Sequence, residues 1–113
     1  MPNINTKTTA KLDTGAIERL TKEFGKAIEL IPGKTEKWLM LSFDGERQMA
    51  FAGIPGDCCM IEVELLGTAQ DSAYDALTKS LTDIVSRETG ISPERIYVKY
   101  EEISHWGWRG NNF

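Results

Sequence analysis

The chain has one histidine and two cysteines among 113 residues, and their placement removes two kinds of chemistry at the outset. His105 has no second histidine and no obvious ligand cluster beside it, so no metal site is expected and a solvent or packing role is. Cys58 and Cys59 are adjacent, which is not the C-x-x-C spacing of a redox pair. Neighbours on a strand point to opposite faces, so two reduced, structural thiols are expected. No stretch approaches the roughly 20 consecutive apolar residues of a membrane span. The start also lacks a signal peptide's basic region and apolar run, so no membrane partner is expected and the cytosol is the default location. Export by a route without a signal peptide stays open. Excess positive charge is missing as well: 13 Lys and Arg against 17 Asp and Glu give a net charge of −4. That balance suits a phosphate backbone badly, and no nucleic-acid partner is expected.

What is present describes an ordinary globular chain, 41% apolar and 27% charged. Its length fits a single domain over residues 1–113, with a real core but with apolar surface that an oligomer would help to hide. Asn3 to Thr9 alternates loosely and reads as a strand starting at the terminus. Asp13 or Thr14 can cap a helix in which Ile17, Leu20, Phe24, Ala27, Ile28 and Ile31 recur at helical spacing, ended by Pro32-Gly33. Trp38 to Phe43 reads as a buried strand closed by Asp44-Gly45, with Gln48 to Ala52 pairing back on it as a hairpin arm.

After a loop at Gly53, Pro55 and Gly56 the pattern restarts. Cys59 to Leu66 is a strand with glutamates on one face and Ile61, Val63 and Leu65 on the other. Gln70 or Asp71 opens a second helix with Tyr74, Leu77, Leu81, Ile84 and Val85 inward and Gly90 at its end. Ile91 to Glu94 turns into a strand from Arg95 to Glu101. The fold class is therefore α/β (α+β): two tandem βαβ units forming a four-stranded mixed sheet with both helices on one face. The other face then needs a cover, most economically a further copy of the chain. In the tail, Trp106, Trp108 and Phe113 are packed with two glycines into eight residues. Aromatics this dense are expected to be docked, at a pocket or against a neighbouring subunit.

Chemistry is concentrated at the start. Removal of Met1 before a small residue would leave Pro2 with a free secondary amine, and a free α-amino group has a reference pKa of about 7.7–8.0. Desolvation or a nearby cation would make it a base near neutrality. Met-Pro alone is also common without function, so the surrounding residues must carry the case. Lys34, after the helix-ending Pro32-Gly33, suits either a bound carboxylate or the negative end of its helix. Tyr97 and Lys99 lie two apart on one strand and share a face. Tyr97 alone would also fit a half-buried strand aromatic.

Met1-Pro2 with Asn5-Thr6, Gly33-Lys34, Met49-Ala50-Phe51-Ala52-Gly53, Ala69-Gln70, Ile91-Ser92-Pro93-Glu94-Arg95-Ile96-Tyr97-Val98, and Gly107-Trp108 with Asn111-Asn112-Phe113 together resemble the macrophage migration inhibitory factor family of the tautomerase superfamily. The resemblance runs from Pro2 to Phe113 without large gaps. It implies a homotrimer with a central barrel and active sites at the subunit junctions. It also implies keto–enol tautomerisation of phenylpyruvate-like and dopachrome-like compounds with no metal or organic cofactor. Pro2 matches the family's catalytic proline, Lys34 its carboxylate-binding lysine, Val63 a position acting through its backbone, and Tyr97 a tyrosine from an adjacent subunit. Lys99 stands where the family has asparagine; an ammonium there is expected to strengthen anion binding and, with Lys34, to lower the basicity of Pro2. Only Cys58 matches the family's thiol pair, with Pro55 at the other position. The partner implied is a small aromatic keto or enol acid. A cytokine-like protein acting on a receptor through its surface is the alternative, and decarboxylation or hydration of a small keto or unsaturated acid a third.

Overall fold

Alternation at the start of the chain does produce a strand, and the computed structural model, which describes residues 1–113, shows what lies on each side of it. Strand β1 (Pro2–Thr8) buries every second residue, Pro2, Ile4, Thr6 and Thr8, and leaves Asn3, Asn5 and Lys7 half-exposed on the opposite face. Helix α1 (Thr14–Ala27) begins where the Asp13 carboxylate accepts from the Ala16 N–H at 2.8 Å, satisfying one of the unpaired amides of its first turn. It buries Ala16, Leu20, Phe24 and Ala27, then tightens into a 3₁₀ turn over Ile28–Leu30 before Gly33 takes a left-handed φ of 81°.

Strand β2 (Met40–Asp44) lies parallel to β1, and β5 (Cys59–Leu66) lies antiparallel to it with Pro2 opposite Leu65 and Asn3 opposite Glu64. Helix α2 (Asp71–Thr89) starts without a side-chain cap and ends at Gly90, whose φ of 76° a side chain would resist. A Pro93–Arg95 3₁₀ turn leads into β6 (Ile96–Ile103), parallel to β5. The sheet order is β2-β1-β5-β6. Its buried face joins Leu20, Phe24, Ile28, Leu77, Leu81 and Val85 of the helical layer in one core. Ion pairs Arg19–Glu88 at 2.9 Å and Arg87–Glu23 tie the helices together. Neither helix is long and apolar enough to cross a membrane.

Four expectations change. Trp38 is not in a buried strand: Glu36–Trp38 form a 3₁₀ turn, and β2 begins at Met40, which is 70% exposed. As an edge strand with β1 its only neighbour, β2 lacks cover on one side. Gln48 to Ala52 does not pair with it either. Instead β3 (Ala50–Phe51) pairs with β4 (Ile54–Pro55), because Ala52 and Gly53 take φ of 54° and 76°, the two successive left-handed residues of a tight hairpin turn. The last strand of the sheet is shifted toward Ile103, since Ser92 and Pro93 form the turn that consumes Arg95. Cys58 precedes β5 rather than lying in it, so strand alternation does not apply and both thiols are buried. Burial pushes the Cys59 thiol up to about 12, which removes thiolate reactivity near neutrality.

The open sheet face is not an apolar surface waiting for a cover. Glu62 accepts from Asn5 at 3.0 Å and pairs with Lys7 at 2.9 Å and Lys99 at 3.0 Å, while Asn3 donates to Glu64 at 2.8 Å. Exposed apolar groups sit instead at edges and ends: Leu30 in the 3₁₀ turn after α1, Met40 on β2, Ile54 on the small hairpin, Tyr97 on β6, and Trp108 and Phe113 in the tail.

Candidate functional site

Because β1 begins at Pro2 and runs antiparallel to β5, the chain start is held by main-chain bonds rather than left to fray; the Leu66 N–H donates to the Met1 carbonyl at 3.0 Å. Around this point lies a cavity of about 560 Å³, walled by Met1, Pro2 and Asn3, the Lys37–Met40 segment, Glu64 and the start of the tail. All three tryptophans of the chain, Trp38, Trp106 and Trp108, line it.

Two features fix those indoles. The tail is a second short hairpin, β7 (Gly107–Trp108) against β8 (Asn111–Asn112), turned through Arg109 and Gly110 at φ of 52° and 81°. It places Trp108 edge-on to Trp38 with ring centroids 4.9 Å apart and stacks Phe113 on Trp108 at 6.1 Å. The tail thus meets Trp38 of its own protomer while Trp108 and Phe113 stay 46% and 61% exposed. Edge-to-face pairs of this kind add about 0.5–1.5 kcal/mol beyond burial. Lys37 lies over the Trp38 ring at 5.2 Å, which engages its charge with the aromatic wall.

Lys34 is brought to the same end of the sheet, donating to the Leu66 carbonyl at 2.9 Å. With Met1 in place the free amine is that of Met1. Burial first, then the Lys34 charge and hydrogen bond, lower its pKa from 8.0 to about 6. An amine at the chain start is thus disfavoured as an ammonium by its surroundings.

The structure separates the remaining sequence-selected residues. Val63 is 1% exposed and directs its side chain into the core, leaving only its backbone to serve a site. Tyr97 is 57% exposed and pairs in register with Met60, five residues along β5 from the Leu65 partner of Pro2. That is roughly 17 Å along the strand, so Tyr97 and Pro2 of one protomer do not share a pocket. Lys99 is ion-paired with Glu62, which raises its own pKa; Glu62 is shared with Lys7, so this trio of side chains keeps a net positive charge. Phe113 supports Trp108 from outside the cavity lining.

Sequence reasoning missed Trp38, Lys37 and Glu64 as cavity residues. By pattern alone Trp38 belongs to an apolar strand, and Glu64 to the glutamate face of β5. The antiparallel register that sets Glu64 beside Asn3 is the signal that places it. No group of three or more His, Cys, Asp and Glu side chains gathers in a way that would hold a metal ion.

A family model described as "Macrophage migration inhibitory factor (MIF)" matches residues 1–113. Macrophage migration inhibitory factor of Rattus norvegicus is 24% identical over 106 residues, covering 92% of this chain and 89% of the rat protein. The crystal structure of Leishmania major MIF2 superposes with a TM-score of 0.91 at 30% identity, covering 100% of this chain and 97% of that one. The homologue from Prochlorococcus marinus gives 0.86 at 29% identity, with 98% of each chain covered.

Proposed function

The chain belongs to the macrophage migration inhibitory factor family, and from that premise we propose that it is a cofactor-free keto–enol tautomerase of phenylpyruvate-like and dopachrome-like compounds, with Pro2 as general base once Met1 is removed. One observation carries the reading: Pro2 walls a tryptophan-lined cavity at the point where burial and Lys34 together depress the basicity of a chain-terminal amine.

The isomerisation is balanced within the substrate. The unprotonated Pro2 nitrogen takes the enol hydroxyl proton as the carbonyl forms, and a proton is returned to the neighbouring carbon, so one O–H bond is exchanged for one C–H bond. Lys34, beside the chain-start amine rather than in the cavity lining, spends one donor on Leu66 and offers its charge to the substrate carboxylate. The aromatic ring lies among Trp38, Trp106 and Trp108. A ring nitrogen fixed in a strand loses little freedom on reaching the transition geometry.

Tyr97 completes the site from a neighbouring copy in a homotrimer. Support comes from its exposure, its distance from its own Pro2, and the free edges of β2 and β6, which present Met40 and Tyr97 outward. The test is ketonisation of an arylpyruvate enol by protein whose intact mass shows loss of Met1. Pro2→Gly is expected to lower kcat/KM at least 100-fold while the fold is retained, in line with removal of a general base. An unchanged rate in Pro2→Gly overturns the reading. No turnover by the native protein moves its role to surface binding.

A further inference from the structure

We propose that Glu64 is a specificity-determining residue of this cavity, selecting aromatic oxo acids that carry a hydrogen-bond donor on the ring and rejecting those with a second carboxylate. The inference rests on the pocket assigned under the proposed function and deepens it.

Glu64 faces Asn3 across β5 and β1 and lines the same cavity as Pro2 and the three tryptophans. Asn3 Nδ2 donates to its Oε1 at 2.8 Å, which orients the carboxylate; Oε2 receives no hydrogen bond. No cation forms an ion pair with it, although the Lys99 ammonium feels its charge across the sheet. Lys7 and Lys99 both pair with Glu62, Lys37 lies over Trp38, and Lys34 is tied to the Leu66 carbonyl near the chain start. Glu64 is therefore the one anionic side chain in the lining, oriented and with acceptor capacity to spare.

Two physical consequences follow for a ligand. Its α-carboxylate is drawn to Lys34, so a further anionic group on the ring is repelled by Glu64 across indole walls that weaken solvent screening. A ring with a phenolic O–H or an indole-type N–H instead satisfies Oε2, whereas a bare ring desolvates that oxygen without replacing its bond to water. Charge and hydrogen bonding thus select the same class, a monoanionic aromatic oxo acid with a ring donor.

The three indoles supply a readout that does not need turnover. Quenching of intrinsic fluorescence measures binding of 3-phenylpropanoate, 3-(4-hydroxyphenyl)propanoate and 3-(4-carboxyphenyl)propanoate to the Met1-free native protein and to Glu64→Gln. Glutamine retains the shape and the acceptor for Asn3 while removing the charge. The expected native order is hydroxylated, then unsubstituted, then dicarboxylate. In Glu64→Gln the dicarboxylate binds about tenfold tighter relative to 3-phenylpropanoate, while Glu62→Gln, on the same sheet face outside the cavity, leaves the order unchanged. Equal shifts for all three ligands in Glu64→Gln, or no shift in their ratios, overturn the proposal. Because binding is read directly, this result is separate from the Pro2→Gly activity test, and either can fail alone.

Discussion

Lys99 Nζ stands 3.0 Å from Glu62 Oε2, and the same carboxylate holds Lys7 at 2.9 Å. Hydrogen bonds from Lys7 and then Lys99 keep the Glu62 carboxyl below its ordinary range. The Lys99 ammonium is therefore held at its own protomer's sheet. Lys99→Asn is expected to leave the acid limb of the pH–rate profile in place, because this half-exposed ammonium sits at Glu62, three residues along β5 from the Leu65 partner of Pro2, where solvent screens it. A displaced limb in that variant would show that Lys99 reaches a neighbour's Pro2.

Lys34→Met is expected to do what Lys99→Asn does not. Burial comes first among the causes that depress the chain-start amine, and Lys34 follows. Losing the cation raises that amine's pKa and moves the acid limb of kcat/KM to higher pH, while KM for a carboxylate substrate rises. The chain that keeps Met1 offers a stability counterpart. With the folded amine at about 6 and its ordinary value at 8.0, the unfolded chain binds more protons between those values. Stability therefore increases as pH rises from about 6 to about 8, and Lys34→Met flattens that slope in chemical denaturation.

Val63→Ala separates backbone from side chain. The side chain is fully buried, so its truncation is expected to cost about 1.5–3 kcal/mol of stability. KM is expected to stay within about twofold, since only the main chain of this residue is available to a ligand. Denaturant melts and steady-state kinetics on one preparation measure both.

Arg95 donates to the carbonyls of Asp57, Phe51, Ile54 and Gly56 and lies 5.4 Å from the Phe51 ring, which in turn meets Tyr97 at 4.8 Å. Arg95→Met is expected to speed amide exchange over residues 51–57 far more than in the core helices. Arg95→Lys is expected to rescue little, because three donors on one nitrogen cannot span four carbonyls. Equal exchange in native and Arg95→Met protein would show that the loop holds itself.

Local pattern made much of this molecule legible. The Asp13 cap, the spacing from Leu20 to Ile28, and the alternation of Cys59 to Leu66 each act over one turn or one strand, so they survive in the fold unchanged. Trp38 was not legible, because an apolar run reads alike whether a sheet or a cavity receives it. The destination is set by the tail hairpin some 70 residues later, where Trp108 meets its ring. Glu64 was hidden for the related reason that its role depends on the β1–β5 register. Pro2 and Lys34 stand out through chemistry and resemblance, and the structure brings both to one end of the sheet.

The most direct measurement is an NMR pH titration of the Pro2 nitrogen in ¹⁵N-proline-labelled, Met1-free protein, set beside the pH dependence of kcat/KM for an arylpyruvate enol. A free amine that titrates below the ordinary α-amino range, at the same pH as the acid limb of the rate profile, is expected, with both moving upward in Lys34→Met. A Pro2 nitrogen that titrates well above that limb, or a rate profile indifferent to it, would contradict the assignment of Pro2 as the base.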